Sequence, residues 1–334
     1  MTKKNLSLNA DGDGIFLLEP ALKETIWGGN KLREKYGKNS ELVNIAESWE
    51  CSVHPNGLSK VASGKYSGMY LRDVLDEHPE YLGNKIKSVD NFPFLIKFID
   101  AREKLSVQVH PDDEYAAKYE NRSLGKTEMW YVVEAEKDAE LVYGFYDDIT
   151  PQQLAEGAKN GDIEKYLNKV RTHPGDVFFI PAGTVHGIGA GNLIVEVQES
   201  SDLTYRLYDY NRINKDGKKR ELHISKALDV VNLKKFADIR QPLRTLVYKK
   251  GYSKEILCKC KYFYMEKIVV KTENFVEFAN YPNKCTVLVC ISGCGILWSK
   301  QGEDFNICKG NSVFISARIE NFFVSGNVTF LKVM

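Results

Sequence analysis

Apolar and polar residues alternate along most of this chain, in short runs. In residues 105–113, "LSVQVHPDD", Leu105, Val107 and Val109 fall on one side of an extended backbone, and Ser106, Gln108 and His110 fall on the other, because successive side chains of a strand point to opposite faces. Similar runs recur as "FPFLIKFID", "EMWYVVEAE", "AELVYGF", "GDVFFIPAG", "NLIVEVQ" and "LTYRLYDY". Strands at this density, punctuated by Gly and Pro turns, predict a mainly β fold, a sandwich or barrel rather than alternating β/α units.

Helical spacing is confined to a few segments. Residues 67–88 carry apolar residues at three- and four-residue steps, residues 112–120 make a short element, and residues 150–170 read as two short helices, each opened by a Thr or Asp. The basic run in "NRINKDGKKRELHISKALDVV" reads as a solvated turn before one more helix. After "QPLRTLVYKKGYSKE" the pattern returns to strands, which puts a domain boundary near Pro242 and divides the chain into 1–241 and 242–334. The two parts repeat: "GDVFFIPAGTVH" lines up with "GNSVFISARIEN", and the strand "WYVVEAE" upstream of one matches "VLVCISG" upstream of the other. The second copy has Asn321 where the first has His186, and Thr286 near the place of Glu128.

Composition changes this picture little. The 334 residues, 43% hydrophobic and 27% charged, suffice for a large core. With 46 basic and 45 acidic residues, no global field favours nucleic acid or an anionic membrane. The opening "MTKKNLSLNADGDG" has no apolar segment behind its lysines, and apolar stretches such as "TVLVCI" are of strand length, so a cytoplasmic protein is expected. The seven cysteines include no C-x-x-C pair and read as reduced, small buried hydrophobes.

The chemistry narrows to four positions. Gln108 and His110 share a strand face, Glu128 opens the next long strand, and His186 follows a Pro-Ala-Gly turn. Antiparallel neighbours in a barrel would carry these groups to one mouth. Two imidazoles and a carboxylate suffice for Zn²⁺ or a similar ion with a position left open, and Gln108 would add a neutral oxygen. Singly, each is ordinary: a strand histidine is usually a hydrogen-bonded core or rim residue, which is the reading for His54, His78, His173 and His223.

The stretches "FPFLIKFIDAREKLSVQVHPDD", "GKTEMWYVV", "FFIPAGTVHGIGAGNLIVEVQ" and "SDLTYRLYDY" resemble the type I phosphomannose isomerases in their short bacterial form. The resemblance runs from "ETIWGG" and "AESWECSVHP" to about Tyr210, in the same order and at similar spacing. It implies a cupin, a small jelly-roll barrel followed by a second one, and a zinc-dependent isomerase of carbohydrate metabolism. The reaction implied interconverts mannose 6-phosphate and fructose 6-phosphate through a cis-enediolate. The resemblance further implies one Zn²⁺ per chain on Gln108, His110, Glu128 and His186, with Arg206 catalytic and Lys126 and Glu196 as candidates for the proton-shuttling base. Lys97, Ser106 and Trp27 would contact substrate, and the chain would act as a monomer or weak homodimer. Beyond Tyr210 only the general pattern matches, so the C-terminal barrel is expected to lack metal ligands. No Gly-rich phosphate loop is present. Lys97, which interrupts an apolar strand, either snorkels to the surface or projects into the cavity.

Two other readings compete: a cupin iron oxygenase, and a non-catalytic sugar-binding cupin. Gln108 in place of a further histidine, and Lys126 with Arg206, suit an anionic, oxygen-rich substrate better than either.

Overall fold

The computed structural model describes residues 14–121, 123–214, 217–236, 244–300 and 304–334. The boundary expected near Pro242 lies outside the described residues. The fold is mainly β and arranged as two jelly rolls. In the first, a six-stranded sheet has the order Val177–Ile180, Glu128–Ala135, Asn192–Glu199, Phe94–Ala101, Glu47–Cys51, Ala21–Lys23. Facing it is a five-stranded sheet in the order Tyr205–Tyr208, Val107–Val109, His186–Ile188, Glu140–Phe145, Leu167–Arg171.

Between these sheets Trp130, Ile194 and Ile99 meet Leu141, Tyr143 and Ile188. All eight residues of Phe94–Ala101 and all eight of Asn192–Glu199 are buried, because both strands are central and their sheet is covered on both faces. Alternation then sorts their side chains. Ile96, Phe98, Val195 and Val197 join the outer core, leaving Lys97 and Glu196 on the inner side with Ile99 and Ile194.

The second jelly roll is one nine-stranded sheet built around Tyr264–Ala279, Thr286–Trp298 and Asn321–Val333. These long strands are irregular between Thr272 and Val276 and between Cys290 and Ser292, where the sheet folds over its own core of Leu288, Val313, Phe322 and Phe330. The repeat is visible in the register. Ile180 opposes Glu128 in the first unit, and Ile315 opposes Thr286 in the second. The two units are not sequential blocks, since Ile15–Glu19 pairs with Ser312–Ile315 and with Lys60–Val61 in the nine-stranded sheet. A shared core joins the units, reinforced by a buried Lys38–Glu50 ion pair at 2.7 Å whose carboxylate also accepts from Ser312 Oγ at 2.6 Å.

Three expectations need correction. The segment 67–88 is not one helix: Leu71–Glu77 is followed by a short 3-10 turn, Pro79–Tyr81, since Pro79 disfavours helical backbone at the residue before it. In 150–170 only the first helix forms, Pro151–Asn160, with a Thr150/Gln153 capping box and a left-handed Gly161 at its end. Ile163–Tyr166 is a single 3-10 turn, and Leu167–Arg171 is a strand paired with Glu140–Phe145. The third correction concerns the cysteines. Cys294 lies directly opposite Cys308 on paired strands, with Cα atoms 4.1 Å apart, and the two form a disulfide. Cys51, Cys285 and Cys290 are buried free thiols, and Cys258 and Cys260 are half-buried. The segment 112–120 forms Asp113–Tyr119 with Asp112 as its cap, accepting from Tyr115 N at 2.9 Å.

Candidate active site and metal centre

The strand Val107–Val109 is short, yet its two neighbours make it the axis of the site. Gln108 is paired with His186 on one side and with Arg206 on the other, and directly opposed residues share a face. His110 follows at the strand's end, while Glu128 opens its strand in the facing sheet. Tertiary folding closes the set: donor atoms of His110, Glu128 and His186 all lie within 4.8 Å of one another.

The donors are arranged as a ligand set. His110 Nε2 is 3.1 Å from His186 Nε2, and His186 Nε2 is 3.1 Å from Glu128 Oε1. The Gln108 amide ends 3.3 Å and 3.5 Å from the two imidazoles. His110 Nδ1 donates to Leu203 O at 2.7 Å and His186 Nδ1 to Thr184 O at 2.8 Å. Those bonds fix each ring's tautomer and leave both Nε2 lone pairs aimed inward. Lys126 Nζ comes within 3.1 Å of Glu128 Oε2, yet both Glu128 oxygens are buried and accept no well-aligned hydrogen bond. A buried carboxylate left so is costly, and facing imidazole lone pairs repel. Two imidazoles, a carboxylate and an amide around one point fit a divalent cation.

The charges nearby are tuned by burial. His110 is held well below the usual imidazole range by burial and then by Lys126. Burial pushes the Glu128 carboxyl up, but Lys126, His110 and His186 outweigh it and hold it well below the carboxylate range.

Gln108 and Lys126, which touch the cluster, also line a cavity of about 360 Å³ together with Trp27, Lys97, Ser106, Glu196 and Arg206. It is of small-ligand size. Lys97 projects into it, its ammonium 3.5 Å from both Glu47 and Glu196 and 4.7 Å over the Trp49 ring. Burial opposes its charge, but Glu47 and Glu196 dominate and raise its pKa. Glu196 is not a wet strand residue: Trp130 Nε1 donates to it at 2.8 Å. Burial and then the charge of Glu128 push its carboxyl up. Arg206 donates to Glu221 O at 2.8 Å, while its buried Nε has no hydrogen-bond partner among the described residues. Burial and the neighbouring Arg220 lower its pKa.

Five polar lining residues escaped the sequence reading: Thr25, Glu47, Asp202, Thr204 and Arg220. Asp202 and Thr204 stand in "SDLTYRLYDY", where their nearness to Arg206 was a usable signal. Arg220 corrects the reading of its basic run as merely solvated. It lines the cavity and donates from Nε to Asp209 at 2.8 Å. The other histidines stay outside the cluster. His78 contacts Tyr66 Oη at 2.6 Å, and His223 accepts from Arg206 N at 3.1 Å.

Comparison with known proteins agrees with this geometry. The family model "Phosphomannose isomerase type I, catalytic domain" matches residues 15–143, and "Mannose-6-phosphate isomerase, cupin domain" matches residues 253–334. A probable mannose-6-phosphate isomerase of Bacillus subtilis, GmuF, is 36% identical over 314 residues, covering 94% of this chain and 97% of that protein. The chain belongs to the type I phosphomannose isomerase family. As a phosphomannose isomerase it is an enzyme of the intramolecular oxidoreductase class. The mannose-6-phosphate isomerase ManA of Bacillus subtilis is 43% identical over 215 residues, 64% of this chain and 67% of that one. The crystal structure of the mannose 6-phosphate isomerase from Bacillus subtilis superposes with a TM-score of 0.86 at 31% identity, covering 96% of this chain and 100% of that one. Family membership thus extends through the C-terminal unit, where the sequence resemblance was only general.

Proposed function

We propose that this phosphomannose isomerase interconverts mannose 6-phosphate and fructose 6-phosphate through a cis-enediolate, with one Zn²⁺ held by Gln108, His110, Glu128 and His186. The observation that carries the reading is the buried His110–Glu128–His186 cluster, in contact with Gln108 and Lys126 of a cavity rich in fixed cations. A divalent metal bound there supplies Lewis-acid polarisation of the sugar oxygens.

The chain's own residues do the rest. Negative charge grows on the sugar oxygens as the proton leaves C2, and a guanidinium fixed beside them acts where that charge develops. Arg206, which lines the cavity, has that role. Arg220 and the Ser106 hydroxyl hold the phosphate, in place of a Gly-rich loop. Carrying a proton between C2 and C1 needs a base tuned toward neutrality. Glu196, pushed up by burial and Glu128, and Lys126 are the two candidates. Lys97, clasped between Glu47 and Glu196, orients Glu196, and Trp27 closes the wall. Among the described residues no helix is long and apolar enough to cross a membrane. We assign the enzyme to the cytoplasm.

The test is a coupled assay of purified protein with mannose 6-phosphate, before and after chelation and after zinc restoration. Turnover should vanish on chelation and return with zinc, with or without oxygen. Activity that survives verified metal loss would sink the mechanism, and a strict oxygen requirement would favour an oxygenase.

A further inference from the structure

The second jelly roll has Asn321 and Thr286 where the first has His186 and Glu128, yet one of its turns reaches the machinery of the first. Lys126 Nζ stands 3.1 Å from Glu128 and 3.2 Å from His110, so small shifts of its backbone matter. That backbone is anchored residue by residue. Leu124 O accepts from Ser201 Oγ at 2.9 Å, and Gly125 N donates to Asp113 Oδ1 at 3.1 Å. Lys126 N donates to Pro111 O at 3.0 Å and Thr127 N to Glu199 Oε1 at 2.7 Å. Gly125 lies directly on the start of the helix Asp113–Tyr119, and a Cβ there would come within 2.5 Å of Asp113 N.

Among these anchors Asp113 reaches across to the second unit. Its Oδ2 accepts from Tyr262 Oη at 3.1 Å and from Lys261 Nζ at 3.1 Å. Both donors sit in the turn between the strands Tyr252–Lys259 and Tyr264–Ala279. One carboxylate therefore ties the second jelly roll, through a single side chain, to the peptide that carries Lys126. We infer that Tyr262 is a positioning residue for Lys126, acting through Asp113. The inference rests on the proposed role of Lys126 in proton transfer.

The two donors are unequal. The Lys261 side chain is 76% exposed, so its ion pair is screened and weak. Tyr262 is half-buried, packs against the shared core, and gives a neutral hydroxyl to an ionised acceptor. The phenol helps to hold the Asp113 carboxylate, which also bonds to Lys261 and Glu199, in the orientation in which Oδ1 meets Gly125 N. Without it that orientation is held less firmly, and the Gly125 anchor, one of the four on segment 124–127, weakens. A displacement of about 1 Å at a reacting group is enough to slow its step by up to about a hundredfold.

The full-length, zinc-loaded enzyme tests this through Tyr262→Phe, Asp113→Ala, their double variant, Lys261→Ala and Lys126→Met. Tyr262→Phe should lower kcat about three- to tenfold, and Asp113→Ala about ten- to a hundredfold, the cost of a misplaced catalytic group. In both, KM for mannose 6-phosphate should stay within about twofold and zinc content should be unchanged, since the lesion lies in orientation and not in uniform binding. The double variant should match Asp113→Ala alone, as expected for residues acting in series, and Lys261→Ala should be near wild type. Amide exchange in a peptide covering Gly125 to Thr127 should quicken in Tyr262→Phe, a readout that does not depend on turnover. If Tyr262→Phe leaves both kcat and that exchange unchanged while Lys126→Met is inactive, the positioning inference is overturned. Additive losses in the double variant would overturn the route through Asp113. Full activity in Lys126→Met would instead overturn the role given to Lys126, with the exchange measurement still judging the tether.

Discussion

The two jelly rolls share a strand plan and differ in what occupies the mouth between their layers. In the first, Glu196 stands opposite Lys97 on adjacent strands, and a cavity lined by Gln108 and Lys126 adjoins the His110–Glu128–His186 cluster. In the second, the register puts Lys332 opposite Glu266, the same pair of charges with the strands exchanged. There Thr286 Oγ1 donates to Asn280 Oδ1 at 2.5 Å and Lys332 Nζ to Ala279 O at 3.0 Å. In the second mouth these polar groups bond to one another; in the first, Glu128 has ion-pair neighbours but its oxygens accept no hydrogen bond, and Arg206 Nε has no hydrogen-bond partner, among the described residues. Buried polar groups are ordinarily hydrogen-bonded, so the unsatisfied unit is the one built to take something in. Loss of a site need not mean loss of the unit, because the second roll still packs a core against the first and ties Asp113.

Substitutions at matched positions should break this comparison most sharply. His110→Ala should lower kcat/KM by about a thousandfold or more and release the metal, the usual consequence of removing a ligand and its Lewis-acid chemistry. Asn321→Ala, at the place in the second roll that matches His186, should leave the rate within about twofold; a large loss there would mean the second unit is chemically active. Both are read by the coupled assay with metal analysis.

Arg206→Ala should cost about a hundred- to a thousandfold in kcat with metal content intact, the scale of losing one fixed donor to a developing oxyanion. A rate loss confined to KM would move Arg206 from transition-state stabilisation to simple binding.

Effects on stability should then separate the rolls in the opposite sense. Reducing the Cys294–Cys308 bond, which spans 14 residues, should destabilise the protein by about 2–4 kcal/mol while leaving kcat of the folded enzyme unchanged. Thermal unfolding with and without reductant, beside the assay, decides this.

The smallest effect concerns Lys332, whose pKa burial lowers to about 8 from 10.5. The folded state then binds fewer protons than the unfolded chain between those values, so stability rises with pH across that window. Below pH 8 the charged, buried lysine is a burden. Lys332→Met should raise Tm by a few degrees at pH 7, on the scale of about 2–4 °C per kcal/mol for a domain of this size. That advantage should shrink as pH rises from 8 toward 10. A gain independent of pH would mean the effect is packing and not charge.

Much of this could be read along the chain because it was local. Alternation marked the strand faces, and the side that carries Gln108 is the side that meets His186 and Arg206. The start of Pro151–Asn160 was legible because Thr150 stands at its cap; that Gln153 completes a capping box came from the structure. Leu167–Arg171 was misread as helix, since what makes it a strand is pairing with Glu140–Phe145. Arg220 looked solvated because its acceptor Asp209 and the cavity wall are brought to it by folding. The disulfide was missed for the same reason: two cysteines in separate strands become partners only through register.

By itself the sequence determined the strand-rich fold, the repeated unit and the identities of the metal-binding candidates, because period-two patterning and residue chemistry act over a few residues. Only the tertiary structure decided that Ile15–Glu19 completes the sheet of the second unit, that Lys97 turns inward to Glu196, and that Tyr262 grips Asp113. Those facts depend on which distant segments share a layer, and that is settled by burying two sheets against each other, not by any short stretch of chain.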